Sequence, residues 1–452
     1  MTTIKVINTE TEISNPEITA MLMAFYSRSS EPIENRLHSL GENEQQIKES
    51  LKKYYLGYGH SSIGDCGDAS IFIEGLSILA AKALENHPLF NGQETSTRYF
   101  DFSKQGYHDP LNKKEIIENW ISFYLEILPQ VKNELFILWS SQRPEHLKSE
   151  NIFENALNAK TFDICRSLLP AAINTQMGIK MTFSSLLEHL HKLSLHPTEE
   201  VKELSSNILD QLMNQYSSTF KLLDDHKKIY MNSFVEKEFF LKDVPFNSTK
   251  RIYSPKINSS KFDGTGLFDS ISNCFSLRPR NSYLPKYLSK FGNIEINYSL
   301  DYGSWRDLQR HRNTVTNLCT SLSNIADFNF KYFDILSDSL KQKIDNFIID
   351  QYEQIFLLQY NNKDYLYELQ YYYPLGNHVN AQLILTFPEL LYILELRSSK
   401  SVHFTLRKLI HDIIRNLPYN VSSLLNSIKH YIDFSDDDFF LGRGNQTIFK
   451  NS

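Results

Sequence analysis

The amino-acid sequence predicts an α+β protein made of two related lobes, each with a few strands packed against several helices. The first reason is that one order of features occurs twice along the chain. The second is that much of the remaining sequence has apolar residues spaced three and four positions apart, which is the helical period. The third is length, because 452 residues exceed the ~150 of a typical domain.

The repeated order begins with a short strand pattern in each half. These patterns are ASIFIEG at Ala69–Gly75 and IEINYSL at Ile294–Leu300. Each predicted strand leads into a helical segment that ends at a histidine-centred triplet, Asn86-His87-Pro88 in the first half and Arg310-His311-Arg312 in the second. The sequence therefore predicts the same strand–helix unit twice.

A proline break follows in each half, at Pro170 in SLLPAAINTQ and at Pro374 in YYYPLGNHVN. An amphipathic pattern comes after each break, at residues 181–195 and 383–397. The number of residues from the first triplet to the second differs slightly from the number between the two prolines. A repeated fold with loops of unequal length produces such a difference.

Two further helices and a linker complete the prediction. Helical spacing covers Ile116–Leu128, which we expect to end at Pro129, and also Glu199–Lys221. The stretch 227–260 is polar and rich in turn-forming residues. We therefore expect an N-terminal lobe at 1–226, a linker at 227–260 and a C-terminal lobe at 261–452.

Charge and cysteine content exclude several classes of function. With 47 basic and 53 acidic side chains the net charge is −6, which argues against nucleic-acid or anionic-membrane partners. Cys66, Cys165, Cys274 and Cys319 are far apart and lack metal-site spacing, so we expect neither a zinc site nor disulfides. The N-terminus lacks a signal-peptide layout, and the apolar stretch 381–396 is short of the ~20 residues that span a bilayer. A cytoplasmic location is the expectation.

Three clusters carry chemistry: Gly59–Asp65, Gln93–Tyr99 and Arg306–Arg312. In the second, consecutive backbone N–H groups, a serine and an arginine can form a phosphate or carboxylate cradle. In the third, Arg306 and Arg310 lie one helical turn apart and can clamp one anion. An ordinary turn, a solvated loop and a solvated basic face remain the respective alternatives.

The order GHSSIGD, IFIEGLS, QETSTRYFDF resembles the flavin-dependent thymidylate synthase (ThyX) family. In the second half, LQRHRNTVTN resembles the Arg-His-Arg segment of that family. FDICRSLLP and ILELRSSKSVHF resemble its two further nucleotide-binding arginine segments. The resemblance covers most of the chain as two tandem, individually incomplete copies. It implies two homologous ThyX-like lobes that form an internal pseudo-dimer.

The motif residues lost from each half complement one another. The first half has Asn86-His87-Pro88 in place of Arg-His-Arg, and Leu193 in place of the late arginine. The second half has Leu322 and Thr320 where the family has its phosphate-binding arginine and serine, and Gln370 where the first half has an arginine. Because family active sites lie between subunits, this pattern implies one surviving composite site.

The resemblance assigns a role to each surviving residue. Arg166 is the catalytic residue that polarises the pyrimidine carbonyl, and no metal is expected. The substrate-binding set is Glu94, Thr95, Ser96, Arg98, Arg166 and Arg397. The cofactor-binding set is His60, Ser61, Ser62, Arg310, His311 and Arg312. The first lobe thus supplies the nucleotide half-site and the second supplies the Arg-His-Arg flavin half-site.

The implied activity is reductive C5 methylation of a uracil nucleotide such as dUMP, with FAD as cofactor and NAD(P)H and methylene-tetrahydrofolate as co-substrates. Two alternatives stay open. Asp307, near where the family usually has a glutamine, favours a non-standard pyrimidine nucleotide as acceptor. The divided motif set favours a catalytically silent nucleotide-binding scaffold. Because family members assemble as homotetramers, we expect this chain to form a homodimer.

Overall fold

A computed structural model of the chain gives an α+β fold with two antiparallel sheets packed with helices, as the sequence predicts. The structure describes residues 15–28, 33, 49–53, 61–98, 102, 104–140, 149–242, 250–264, 278–280, 282–312, 316–362 and 365–435.

Seven strands form the two sheets. They are β1 (Asp68–Ser77), β2 (Asn91–Glu94), β3 (Asn174–Thr182), β4 (Lys256–Asn258), β5 (Asn293–Asp301), β6 (Thr316–Cys319) and β7 (His378–Thr386). The spatial order is β1-β3-β2 in the first sheet and β4-β5-β7-β6 in the second. With β4 set aside, the two sheets have the same topology.

The helices follow the same repeated order. They are α1 (Pro16–Tyr26), α2 (Ser61–Gly64), α3 (Ile78–Glu85), α4 (Lys114–Ser140), α5 (Glu150–Cys165), α6 (Phe183–Leu193), α7 (Glu199–Gln215), α8 (Asp225–Asn232), α9 (Val235–Phe239), α10 (Tyr302–Gln309), α11 (Asp338–Asn361), α12 (Phe387–Arg397), α13 (Phe404–Arg415) and α14 (Tyr419–Asn426). A strand, a short helix and a strand occur as β1-α3-β2 and again as β5-α10-β6. A long strand and two helices occur as β3-α6-α7 and again as β7-α12-α13.

The two proline breaks pair with each other. Pro170 and Pro374 form an antiparallel bridge. The Ala171 N–H donates to the Tyr373 carbonyl at 2.9 Å, and the Leu375 N–H donates to the Leu169 carbonyl at 2.8 Å. The chain therefore crosses itself at equivalent points of the repeat. This pairing places Arg166, which lies just before Pro170, close to the break at Pro374.

The chain divides into two compact units. The first comprises Met1–Glu74, Ala83–Glu94 and Gln176–Glu238, and the second comprises Gly75–Lys82, Thr95–Thr175 and Phe239–Ser452. Residues 95–175 thus group with the C-terminal half of the chain. The lobe boundaries expected from the sequence stay a prediction.

Each unit has its own apolar core. In the first, Ala20, Met21 and Leu51 pack with Ile63 of α2. In the second, the core is large and includes Trp120, whose side chain is completely buried. The long helices α4 and α11 contact each other there, with the rings of Phe123 and Phe347 stacked at 3.7 Å.

Two predicted helix ends are wrong. The helix predicted to stop at Pro129 continues through it to Ser140, because Pro129 lies on the exposed side of α4 while Ile127 and Val131 on either side are buried. Packing of the long apolar face outweighs the lost hydrogen bond at the proline. The helix predicted over Glu199–Lys221 ends at Gln215.

No helix among the described residues is both long and apolar enough to cross a membrane. Within the same residues, no cluster of three or more histidine, cysteine or acidic side chains is arranged to hold a metal ion. Cys66, Cys165 and Cys319 are free thiols, and Cys274 lies outside the described residues.

Candidate active site

Arg166 lies in a short 3-10 turn at the end of α5 and is only 2% exposed. Its Nη2 donates to the Ser304 hydroxyl at 3.1 Å, and its Nη1 lies 3.8 Å from the Asp307 carboxylate. Both partners are on α10, in the second half of the sequence. The Arg166 Nε is buried and has no hydrogen-bond partner among the described residues. A buried donor of this kind is costly unless a ligand satisfies it.

Asp307 is the negative centre of an arginine cluster. Burial alone would raise the pKa of its carboxyl, but nearby positive charge outweighs burial and lowers the pKa to about 2. The charges that do so belong, in decreasing order, to Arg166, Arg98, Arg397 and Arg310. Asp307 is therefore a carboxylate at any physiological pH, and four arginines from distant parts of the chain surround it.

Arg397, the last residue of α12, fixes the Arg-His-Arg segment. Its Nε donates to His311 Nε2 at 2.7 Å, and its Nη2 donates to the Asp307 carbonyl at 2.6 Å. Burial and then the positive charge of Arg397 lower the pKa of His311 to about 3. His311 is therefore neutral and accepts a hydrogen bond through Nε2.

Arg98 is held by a buried carboxylate. Its Nε and Nη2 donate to the two Asp163 oxygens at 2.7 and 3.3 Å, and Nη2 also donates to the Ser401 carbonyl at 3.2 Å. The Asp163 side chain is 2% exposed and the Arg98 side chain 13%. This forked geometry orients the guanidinium. Any anion bound at Arg98 shares it with Asp163.

His403 connects the Arg98 and Arg166 segments. Its Nε2 donates to the Asp163 carbonyl at 3.2 Å, so Nδ1 is the acceptor nitrogen, 3.1 Å from the Ser304 hydroxyl and 2.8 Å from the Thr405 hydroxyl. Burial, then the charge of Arg166, lowers the pKa of His403 well below its usual value. His403 is therefore neutral, and its Nδ1 accepts from the Ser304 or the Thr405 hydroxyl, while the Ser304 hydroxyl accepts from Arg166.

The structure brings five of the predicted site residues into this cluster, all within the second compact unit. They are Arg98, Arg166, Arg310, His311 and Arg397. Thr95 and Ser96 precede Arg98 in the same unit, and the Ser96 hydroxyl accepts from the Arg98 N–H at 3.3 Å. Arg310 is exposed and Arg312 is half-buried, immediately after α10.

The remaining predicted residues lie in the first compact unit or outside the described residues. Glu94 ends β2 and is buried. Ser61 and Ser62 begin α2, and Ser62 is exposed. His60 lies outside the described residues. Their roles stay predictions.

The positions where motif residues are absent have ordinary structural partners. Gln370, which stands where the first half has Arg166, accepts from the Leu322 N–H at 3.0 Å and donates to the Tyr367 carbonyl at 3.1 Å. Leu322 and Leu193 are completely buried. At these three positions neutral side chains thus pack into the fold.

Three residues of the cluster escaped the sequence prediction: Asp163, Ser304 and His403. The signal for His403 was a His-x-Thr pattern that recurs before a helix in both halves, at His196 and at His403. In each case the histidine Nδ1 lies 2.8 Å from the hydroxyl of the threonine two residues on. Asp163 stands three residues before Arg166 inside a quoted motif, but a buried counter-ion has no spacing that marks it in the sequence.

Comparison with known proteins supports the resemblance. The family model described as thymidylate synthase complementing protein, that of the ThyX family, matches residues 8–216, just under half of the chain. This part of the chain is therefore a ThyX-family domain. The match ends before the Arg-His-Arg segment at Arg310–Arg312, so a second copy of the domain is a matter for proposal.

Several relatives resemble nearly the whole chain. A UPF0159 protein of Chlamydia pneumoniae is 25% identical over 90% of this chain and 84% of its own. A UPF0159 protein of Thermoplasma acidophilum is 22% identical over 95% of this chain and 98% of its own. A third, from Chlamydia muridarum, is 22% identical over 88% of this chain and 83% of its own. The names of these relatives state no activity.

The neutral state of His311 makes a pH-dependent contribution to stability that can be measured. Glutamine at this position keeps an acceptor for Arg397 but cannot be protonated. Below pH 6.5 the unfolded wild type binds a proton that folded His311, with a pKa of about 3, does not bind. The wild type should therefore lose about 1.4 kcal/mol per pH unit relative to His311→Gln as the pH falls below about 6. Urea unfolding of both proteins between pH 5 and 8 measures this difference. A stability difference that is constant with pH would contradict the assignment.

Proposed function

We propose that this chain catalyses a ThyX-type reaction, the reductive C5 methylation of a uracil nucleotide such as dUMP, at one composite site. The observation that carries the proposal is the convergence of Arg98 and Arg166 from the ThyX-family domain with His311 and Arg397 around one ionised carboxylate, Asp307. Four arginines against two carboxylates, Asp307 and Asp163, leave a surplus of positive charge, which suits an anionic substrate.

We further propose that the second half of the chain is a diverged copy of the family domain. The support is the repeated element order, the shared sheet topology and the paired proline breaks. On this view the chain is an internal pseudo-dimer in which one composite site is kept. Gln370 and Leu322 mark the reciprocal site, whose cationic residues have been lost.

Within the kept site, Arg166 is the residue that stabilises charge on the pyrimidine. Its Nε is a buried donor without a hydrogen-bond partner among the described residues, so it can donate to a ring carbonyl as negative charge develops there. Ser304 and Asp307 hold the other two nitrogens, so the guanidinium does not need to reorganise during the reaction. Arg98 and Arg397, each anchored by hydrogen bonds, would bind the nucleotide phosphate.

The donor set also fits a flavin dinucleotide. Arg310 is exposed and makes no ion pair with a described residue, and Arg312 follows two positions later, so both can bind a diphosphate. When bound, FAD would supply the redox chemistry that no side chain of the protein provides. The methylene carbon from methylene-tetrahydrofolate needs two electrons to become a methyl group, and NAD(P)H would supply them.

Binding of FAD and formation of product test this proposal. The purified protein, incubated with FAD and desalted, should retain a flavin absorption band. Arg312→Ala should lose that band. Arg98→Ala should keep it but lose dTMP formation by about 100-fold or more, because one anion donor of the site is removed.

Arg280→Ala is the control, since Arg280 is an exposed arginine without an ion pair to a described residue, and it should retain the flavin and the activity. Full activity of Arg98→Ala would refute the composite site. A colourless wild-type protein would favour the silent nucleotide-binding scaffold instead.

Asp307 favours a second candidate, the same chemistry on a pyrimidine that carries an amino group. An ionised carboxylate only accepts hydrogen bonds, whereas the glutamine amide usual in the family both donates and accepts. With a pKa of about 2, Asp307 cannot donate to the uracil O4. It can accept from an exocyclic amino group such as that of cytosine.

Competition between nucleotides separates the two acceptors. If the second candidate holds, dCMP should bind about tenfold more tightly than dUMP, since one unmatched buried polar contact costs about 1–3 kcal/mol. Asp307→Asn, which gains a donor, should shift the preference toward dUMP. Asp338→Asn, a fully exposed carboxylate, is the matched control. Turnover of dUMP by the wild type, with weaker dCMP binding, would reject this candidate.

We propose that the chain forms a homodimer through the exposed apolar faces of α4 and α11, which are equivalent helices of the repeat. Ile349, Phe356 and Tyr360 lie on one face of α11 and are 51%, 64% and 65% exposed. On α4, Phe136 and Ile137 are 45% and 65% exposed. Apolar surface of this kind marks association sites in soluble proteins.

Light scattering coupled to size exclusion tests the homodimer. The wild type should have twice the mass of one chain, and Phe356→Glu with Tyr360→Glu should give a monomer, because two charges would be buried without partners. Ile229→Glu, at a 72% exposed position of α8, is the control and should remain a dimer. A monomeric wild type would refute the proposal.

A further inference from the structure

A cavity of about 180 Å³ opens in the second compact unit next to the end of β5. One wall is the segment 251–255, which is part of the stretch 227–260 that the sequence left without a function. Another wall is the part of α13 from Phe404 to Asp412, and a 3-10 turn at Phe330–Phe333 supplies a third side. The cavity is larger than a few water molecules, at about 30 Å³ each, but smaller than a typical ligand pocket of about 300 Å³ or more.

The lining has more cations than anions. Arg251, Lys331 and Lys408 line the cavity from three different elements, and Asp412 is the only carboxylate among the described residues that line it. Asp412 lies 3.7 Å from Lys408, on the same helix. Lys331 is exposed and forms no ion pair with any described residue.

Arg251 is anchored at one end and unsatisfied at the other. Its Nη1 lies 3.4 Å from Asp327, and its guanidinium stands 5.6 Å from the centre of the Tyr253 ring. The Arg251 Nε is buried and has no hydrogen-bond partner among the described residues. A positioned guanidinium with an unused donor is ready to bind an anion.

The rest of the lining is polar on one side and apolar on the other. The Ser299 hydroxyl donates to Asn380 and accepts from the Ile252 N–H at 2.7 Å, which fixes the segment 251–255 to β5. Phe404 and Thr405 open α13, a 12-residue helix whose positive end is at the cavity. Tyr253 and Phe404 provide apolar surface beside the cations.

We propose that this cavity binds the phosphate end of a small phosphorylated ligand, at a site separate from the arginine cluster. Three cations approach from three elements, and a phosphate has enough free oxygens to meet all of them, whereas a carboxylate has two. The cavity volume suits a phosphate with a small attached group. The aromatic surface of Tyr253 and Phe404 would contact that group.

The site adjoins the arginine cluster through one residue. The Thr405 hydroxyl lines the cavity and lies 2.6 Å from the Ser304 hydroxyl, which binds Arg166. The phosphate site itself does not depend on the proposed methylation activity, because none of its cations belongs to the cluster.

Titration calorimetry with inorganic pyrophosphate tests the proposal on the full chain. Lys331→Gln removes an exposed cation without an ion pair to a described residue, so the variant should fold normally. Its affinity for pyrophosphate at this site should fall about tenfold, and Lys331→Glu should weaken binding further. Lys286→Gln makes the same charge change at another exposed lysine and should leave binding unchanged.

Two further variants distinguish binding at this site from pyrophosphate bound elsewhere on the protein. Arg251→Gln, with its melting temperature checked, should also lose this binding event, while Arg312→Ala should keep it. The proposal is overturned if Lys331→Gln and Lys331→Glu bind pyrophosphate with the affinity and stoichiometry of the wild type. Tighter binding of acetate or citrate than of pyrophosphate, lost in Lys331→Gln, would replace phosphate by carboxylate and so overturn the assignment as well.

Discussion

The antiparallel pairing of the two proline breaks is the constraint on which the rest of the arginine cluster depends. Backbone hydrogen bonds between 167–172 and 371–376 lock two segments that are distant in sequence. Gly303 at the start of α10 fits against this crossing, where an added Cβ would lie 3.4 Å from the Leu375 carbonyl. Arg166 is carried on the crossing itself. Its guanidinium therefore lies within hydrogen-bond distance of the Ser304 hydroxyl.

Two carboxylates offset part of the positive charge of the cluster. Asp163 orients Arg98, and Asp307 lies among Arg166, Arg397 and Arg310. The neutral histidines His311 and His403 make hydrogen bonds without adding charge, because burial and the neighbouring arginines lower their pKa values. The surplus of positive charge is costly to keep in a folded protein. Sites that bind anions commonly bear such a cost in exchange for preorganised donors.

The two halves of the repeat keep the fold with different chemistry. At one set of positions the repeat has arginines with buried counter-ions, and at the other it has Gln370 and Leu322 with ordinary partners. Both solutions satisfy the backbone and fill the core, so the fold tolerates either. In the segment 251–255, too, the backbone and the side chains have different roles. The Ser299 hydroxyl holds its backbone to β5, while its side chains line a separate cavity.

The sequence by itself determined the fold class, the repeated strand–helix order and the ThyX-family motifs of the first half, because these depend on local periodicity and on residue spacing. It also predicted Arg98, Arg166, Arg310, His311 and Arg397 as site residues from recognisable motifs, and the structure brings these side chains together. It could not find Asp163, Ser304 or His403 as their partners, nor that α4 passes through Pro129. Those were decided by the tertiary structure, since a buried counter-ion, a hydrogen-bond direction and a helix held by core packing exist only where segments distant in sequence are brought together.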